Sequence, residues 1–339
     1  MRPAYKRGAG FVAVCLVAGL VACDRSKPAG SPSPSPTSPV PSSSSTASAV
    51  FTPVWKSGPV APEAVSEVGV AAVGDKIHVV GGYLGGKAHS TTHFVFDVAT
   101  QTWSRAAALP AALDHIGSVG LGGKLYIFGG YGTSGVPTNG AYVYDPATDR
   151  WGALPAMPDT RTAAIAAVIG NQIHVVGGRN AQGDTGSHLV FDPATNAWST
   201  AAPMPTARDH TAYAVLNGLL HVVGGRPGPT QVHEVYDPAT DRWSTAAPLP
   251  APRNSFAGAV VAGRLVVFGG EDAGETNVYA EAWAYDPTSN QWSAIPPMPV
   301  AVQGIGAATV NGRIYVPAGG PSAGGSQQTA ILQVLSPGG

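Results

Sequence analysis

Cysteine is nearly missing from this chain of 339 residues. Its two copies, Cys15 and Cys23, both lie near the N-terminus. Beyond them no disulfide, thiolate metal site or cysteine nucleophile can form. Charge is scarce too: Asp, Glu, Lys and Arg make up 12% of the residues, and the net charge is −1. No basic stripe marks a nucleic-acid surface. The apolar stretch from Gly10 to Ala22 is shorter than the ~20 residues a membrane-spanning helix needs. Glycine-rich turns such as GGYLGG (Gly81 to Gly86) follow strands but open no helix, so no phosphate-cradling loop is present.

What the N-terminus does have is an order of features. Arg2, Lys6 and Arg7 precede the uncharged run Gly10 to Ala22, as a basic n-region precedes an apolar h-region in a secretory signal. The run ends Leu20-Val21-Ala22-Cys23. A small residue before a cysteine at that place resembles a bacterial lipoprotein signal. The resemblance implies that residues 1–22 are removed, that Cys23 is lipidated, and that the protein is lipid-anchored in the cell envelope, outside the cytoplasm. Residues 23–48 are dominated by Ser and Pro, including SPSPSPTSPVPSSSS. They cannot bury enough apolar surface to offset chain entropy and read as a semi-extended tether, partly polyproline II.

Residues 49–339 are different: Gly and Pro recur at turn spacing among many Val, Ile, Tyr and Trp. A glycine pair stands at Gly81, Gly129, Gly177, Gly224, Gly269 and Gly319 with the residue after each, at intervals of 48, 48, 47, 45 and 50. Trp55, Trp103, Trp151, Trp198, Trp243 and Trp292 keep intervals of 48, 48, 47, 45 and 49. Trp283 stands outside the series. Two markers with one period define a structural repeat. Each copy predicts four short strands, as in Ala163–Gly170, Gln172–Gly178, His188–Asp192 and Asn196–Thr200. Asp-Pro at Asp145, Asp192, Asp237 and Asp286 marks the turn between the last two; Asp97-Val98 is the copy without proline.

Six such units fit an all-β, six-bladed β-propeller. The glycine pair, the aromatic-Asp step and the Trp resemble the kelch repeat over essentially the whole domain. Trp55 has no preceding strands of its own, and the segment from Gly304 to Leu335 has no Trp strand after it. An N-terminal strand is therefore expected to complete the last blade and remove its open edge.

Kelch propellers bind on the face formed by the loops before the innermost strand and after the glycine pair. At matched positions in the first set stand Val65, Leu113, Arg161, Arg208, Arg253 and Gln303. One residue on are Ser66, Asp114, Thr162, Asp209, Asn254 and Gly304, then Glu67, His115, Ala163, His210, Ser255 and Ile305. After the glycine pairs stand Tyr83, Tyr131, Arg179, Arg226, Glu271 and Pro321. Varied polar loops on a constant scaffold mark a binding face. Arg161, Arg208, Arg253, Arg179 and Arg226 form a patch suited to carboxylate or phosphate. Alternatively they are structural ion pairs with acids such as Asp114, Asp209 or Glu271. Tyr83 and Tyr131 can stack on a sugar or pack a peptide. Asp209, His210 and Glu271 complete the candidate ligand-binding set. His115 and His210 lie two blades apart, without metal-ligand spacing, so no metal and no cofactor is expected. His78, His174 and His221 sit inside second strands and read as core residues.

The expected function is a membrane-tethered binding module for an envelope protein or a glycan, acidic glycans included, acting as a monomer without nucleic acid. A structural role in envelope assembly is a second reading. A third is an enzyme of the sialic acid mutarotase type, with Arg208 or Arg161 holding a carboxylate and Glu67, Glu271 or His210 as base; nothing beyond the shared repeats points to catalysis. Galactose oxidase chemistry is excluded because its Cys–Tyr crosslink needs a cysteine the domain lacks.

Overall fold

The computed structural model describes residues 51–227 and 231–338. The expected signal peptide over residues 1–22, Cys23 and the expected Ser/Pro tether lie outside the described residues. Among the described residues no helix is long and apolar enough to cross a membrane.

Six four-stranded antiparallel sheets form the blades of a propeller, and the innermost strands of neighbouring blades touch around a central axis. The first blade runs Gly69–Val73, Lys76–Val80, His93–Asp97, Thr102–Arg105. The last pairs Val54–Ser57 with Leu332–Ser336, Trp55 opposite Leu335, so the N-terminal strand closes the ring as expected. Second strands such as Lys76–Val80 bury Ile77, Val79 and Val80 almost fully. The core is a set of wedges between blades, such as Val70, Phe94 and Phe96 against Tyr315 and Leu332. The Asp turns work by capping: Asp145 Oδ1 accepts the Ala147 N–H, and Asp192, Asp237 and Asp286 do the same two residues on.

The glycine pairs join blades. Both members have positive φ, and the second donates its N–H to a carbonyl of the next blade: Gly82 to Leu113, Gly130 to Arg161, Gly178 to Arg208, Gly225 to Arg253, Gly270 to Val302, all at 2.8–2.9 Å. The sixth bond, Gly319 to Val65 at 2.9 Å, corrects the sequence register. The last pair is Ala318-Gly319, with φ of 65° and 103°, not Gly319-Gly320. Its matched loop residues are accordingly Val302, Gln303, Gly304 and Gly320. With Ala318 in the series, the last interval becomes 49, equal to that of the tryptophans. Gly130→Ala tests the staple. Its φ is 96°, and a Cβ would meet the Asp114 carbonyl at 2.6 Å. Strain of about 1–3 kcal/mol is expected, read as a lower thermal midpoint by roughly 2–4 °C per kcal/mol.

At the rim, all six series tryptophans donate their indole N–H to the preceding blade, at 2.8–3.0 Å. The acceptors divide into two kinds. Pro59, Pro155 and Pro296 have no N–H to satisfy. Ala107, Ala202 and Ala247 do, and give it to Asp149, Asp241 and Asn290. These same three interfaces hold buried histidine pairs, His78–His93, His174–His188 and His221–His233. Each pair packs on a tyrosine of the next blade, Tyr144, Tyr236 or Tyr285. The other three interfaces place Phe96, Phe191 or Leu335 at the tyrosine position. The core reading of His78, His174 and His221 thus stands, with a histidine partner in the third strand of each blade.

Candidate functional site

The axis is ringed by one residue from each blade: Glu67, His115, Ala163, His210, Ser255 and Gly304. All six are left-handed, with φ between 49° and 61°. Each must turn the chain from the loop down into the innermost strand. For the five that carry a Cβ this conformation is strained, and the ring offsets it with bonds between blades. His115 N–H donates to Glu67 O, Ala163 to His115, Ser255 to His210, Gly304 to Ser255, and Glu67 back to Gly304, at 2.7–3.0 Å. Glycine at the sixth position makes room: a Cβ on Gly304 would stand 2.5 Å from Glu67 Oε1.

Above the ring is a polar basin of about 340 Å³, within the usual size of a small-molecule site. A neck of about 100 Å³ at the ring leads to an opposite mouth of about 320 Å³, lined by small and apolar residues such as Val70, Ala72, Ala166 and Val260. Shared lining residues make these one axial channel. Five carboxylates, Glu67, Asp184, Asp209, Glu271 and Glu275, face the basin with three cations, Lys87, Arg179 and Arg226.

Of the sequence-predicted residues, Tyr83, Tyr131, Arg179, Arg226, Asp209, His210 and Glu271 line this basin. Arg161, Arg208 and Arg253 do not, and the five-arginine patch is corrected to two. Arg161 is fully buried and donates to the Gly177 and Ser187 carbonyls. Arg208 pairs with buried Glu234. Arg253 meets Glu281 at 3.2 Å and lies over the Tyr279 ring at 3.6 Å. These side chains run under the loops into the blades, where carbonyls and acids accept from their terminal nitrogens while each buried Nε is left without a partner among the described residues. Arg179 and Arg226 are themselves paired: Arg179 with Asp184 at 3.1 Å, and Arg226 with Asp209 at 3.2 Å and with Glu275.

His115 and His210 also differ from expectation. Two blades of separation do not keep them apart, because the ring brings their imidazoles to a centroid distance of 5.0 Å. His115 Nδ1 lies 2.5 Å from Asp114, and its Nε2 is 3.3 Å from Glu67. Tyr83 and Tyr131 pack edge-on against it, each at 5.5 Å. Burial works against a proton on His115, but Glu67 and Asp114 outweigh it and raise its pKa. Burial raises the Glu271 pKa, against the opposing Gly324 N–H; that carboxylate accepts from Ser255 Oγ at 3.1 Å and Gly324 N–H at 2.8 Å. Burial also raises Tyr83, with Asp114 and Glu67 adding to it.

Sequence alignment of the loops placed Glu67, His115 and Ser255 at one position but gave no reason to unite them. Asp184 and Glu275 lie in loops whose length differs between blades, so no matched position pointed to them.

The profile of the KLHDC2/KLHL20/DRC7 Kelch-repeats domain matches residues 67–248, and that of the Kelch motif matches residues 252–299. Among solved structures, that of YjhT is similar over 81% of this chain and 96% of its own, with a TM-score of 0.69 and 19% identity. At that identity the likeness concerns the fold. No curated protein matches the chain.

Proposed function

We propose, on the premise that this chain belongs to the Kelch-repeats domain family, that it is a membrane-tethered, extracytoplasmic binding module whose basin takes a glycan. The observation that carries this is the composition of the 340 Å³ basin. Paired carboxylates and guanidinium groups accept from and donate to vicinal hydroxyls, and Tyr83 and Tyr131 offer faces for the C–H side of a sugar ring. The excess of carboxylates favours neutral or singly charged sugars over phosphates. Arg226, rather than the buried arginines, is the group to meet a ligand carboxylate. Lipidation at Cys23 and the Ser/Pro tether would hold the domain off the membrane.

The test is a thermal-shift series on the full chain in detergent against neutral sugars, uronic and sialic acids, and phosphates. A sugar at 100 times its Kd should add about 2.7 kcal/mol of stability. Tyr83→Ala should weaken that binding roughly tenfold or more, since stacking contributes on the order of 1 kcal/mol beyond area. No shift with any sugar, together with a crosslinked envelope partner, would move the reading to protein binding or envelope assembly. For the anchor, Cys23→Ser is expected to release the protein from the membrane fraction; retention there would sink the lipoprotein reading.

The raised Glu271 favours one second reading, acid/base assistance to sugar ring opening of the mutarotase type. A carboxyl group whose pKa is raised by burial is better suited to give up a proton as acid, with Glu67 nearby as base. Mutarotation of a bound sugar, followed by NMR and lost in Glu271→Gln, is its signature; binding without turnover excludes it.

A further inference from the structure

We propose that the axial neck is a site for a divalent transition-metal ion, ligated by Glu67, His115 and His210. Their donor atoms all lie within 4.8 Å of one another. His115 Nε2 and Glu67 Oε2 are already 3.3 Å apart, about the edge of a coordination tetrahedron with bonds of ~2.0–2.2 Å. All three stand on the left-handed ring, whose bonds between blades hold their backbones in place.

Second partners orient the ligands. Each histidine follows an aspartate buried beside its Nδ1: Asp114 at 2.5 Å from His115 and Asp209 at 2.9 Å from His210. The Asp114 carboxylate hydrogen-bonded to His115 Nδ1 fixes the tautomer that leaves its Nε2 free for metal. His210 is itself 94% buried, and its Nδ1 makes no well-aligned hydrogen bond, so a small ring rotation is open to it. Arg226 Nη2 lies 3.0 Å from His210 Nε2. A guanidinium can only donate, so that nitrogen presents a lone pair, and Arg226 stands where a metal would. On displacement Arg226 keeps Asp209 and Glu275 as partners. Glu67, Asp114 and Asp209 supply the negative charge that balances a divalent ion. Two imidazoles and one carboxylate suit zinc or iron(II). Three protein ligands leave positions open to the basin, where hydroxyl or carboxylate oxygens of a ligand would complete coordination. The site stands on the neck alone and does not depend on the ligand being a glycan.

Zinc is titrated into the chelator-stripped full chain in detergent, in competition with a chromophoric chelator. One zinc per chain is expected. Glu67→Gln and the double variant His115→Ala/His210→Ala should each weaken it at least 100-fold, and Asp114→Asn about 10–100-fold. Arg226→Gln should bind zinc more tightly, since the competing cation is gone. Unchanged zinc binding in the double histidine variant, or weaker binding in Arg226→Gln, would overturn the site. Zinc-edge X-ray absorption on the parent chain reads the ligands without any substitution: two imidazoles and a carboxylate support the proposal, and sulfur ligation refutes it.

Discussion

Arg208→Met is expected to destabilise the propeller by about 3–5 kcal/mol, the usual loss when one partner of a buried ion pair is removed. Arg208 and Glu234 are 2% and 4% exposed, and their side chains meet directly. The guanidinium also donates to the Val222 carbonyl at 3.0 Å, and Thr206 Oγ1 donates to Glu234 at 2.8 Å. Burial lowers the Arg208 pKa, and Glu234 opposes that fall. Without Arg208, Glu234 is left buried with one hydroxyl partner and no counter-charge. The double variant Arg208→Met/Glu234→Leu removes both charges and should recover most of the loss, since apolar replacement of a whole buried pair is often neutral. Urea unfolding of the parent, the single variants Arg208→Met and Glu234→Leu, and the double variant gives the coupling. A loss under 1 kcal/mol in Arg208→Met would show that the pair does not hold the loop. The consequence for function is direct: weaker ligand binding in an Arg208 variant reports stability, so the basin must be probed at Arg226 or Tyr83.

Arg208 shows where sequence reasoning stops. The period of the tryptophans fixed the blade count, and the unmatched ends revealed the closing strand, because burial and turn chemistry repeat with the chain. Side-chain direction does not follow from period. Arg208, Asp209 and His210 are consecutive, yet the first runs under the loop, the second sits behind the ring and the third enters the channel. The left-handed turn at His210, φ 51°, sorts them, and positive φ at a histidine is not written in its neighbours. The convergence of Glu67, His115 and His210 is likewise a product of ring closure across three blades. The slip at Ala318 has another origin: alanine took a left-handed position that glycine holds in five copies, and the neighbouring Gly320 offered a false match.

The histidine pairs were half legible, and they carry the second large expectation: stability should fall steeply as pH drops below about 6.5, the unfolded histidine value. Six of the nine histidines are in these pairs. His93 Nδ1 donates to the Ala107 carbonyl at 3.0 Å, so its Nε2 accepts from His78 Nδ1 at 2.9 Å; the other two pairs repeat this. Every proton is assigned while both rings are neutral, and an added proton has no acceptor. Burial lowers all six, His78 to about 3 and His93, His174, His188, His221 and His233 to about 4. Between those values and 6.5 the unfolded chain holds more protons, so stability rises with pH there and is level above it. At pH 5 each histidine forfeits about 2 kcal/mol, and even half the sum approaches the ~5–15 kcal/mol stability of a typical domain. His115, whose pKa is raised, runs the other way, but it is one group against six. The fifth blade supplies the control, with Val266 and Ala282 at the paired positions. His174→Val/His188→Ala, which copies them, should flatten about a third of the acid slope in thermal midpoint between pH 7 and 5. A slope unchanged by that replacement would place the acid sensitivity elsewhere, in the carboxylates of the basin.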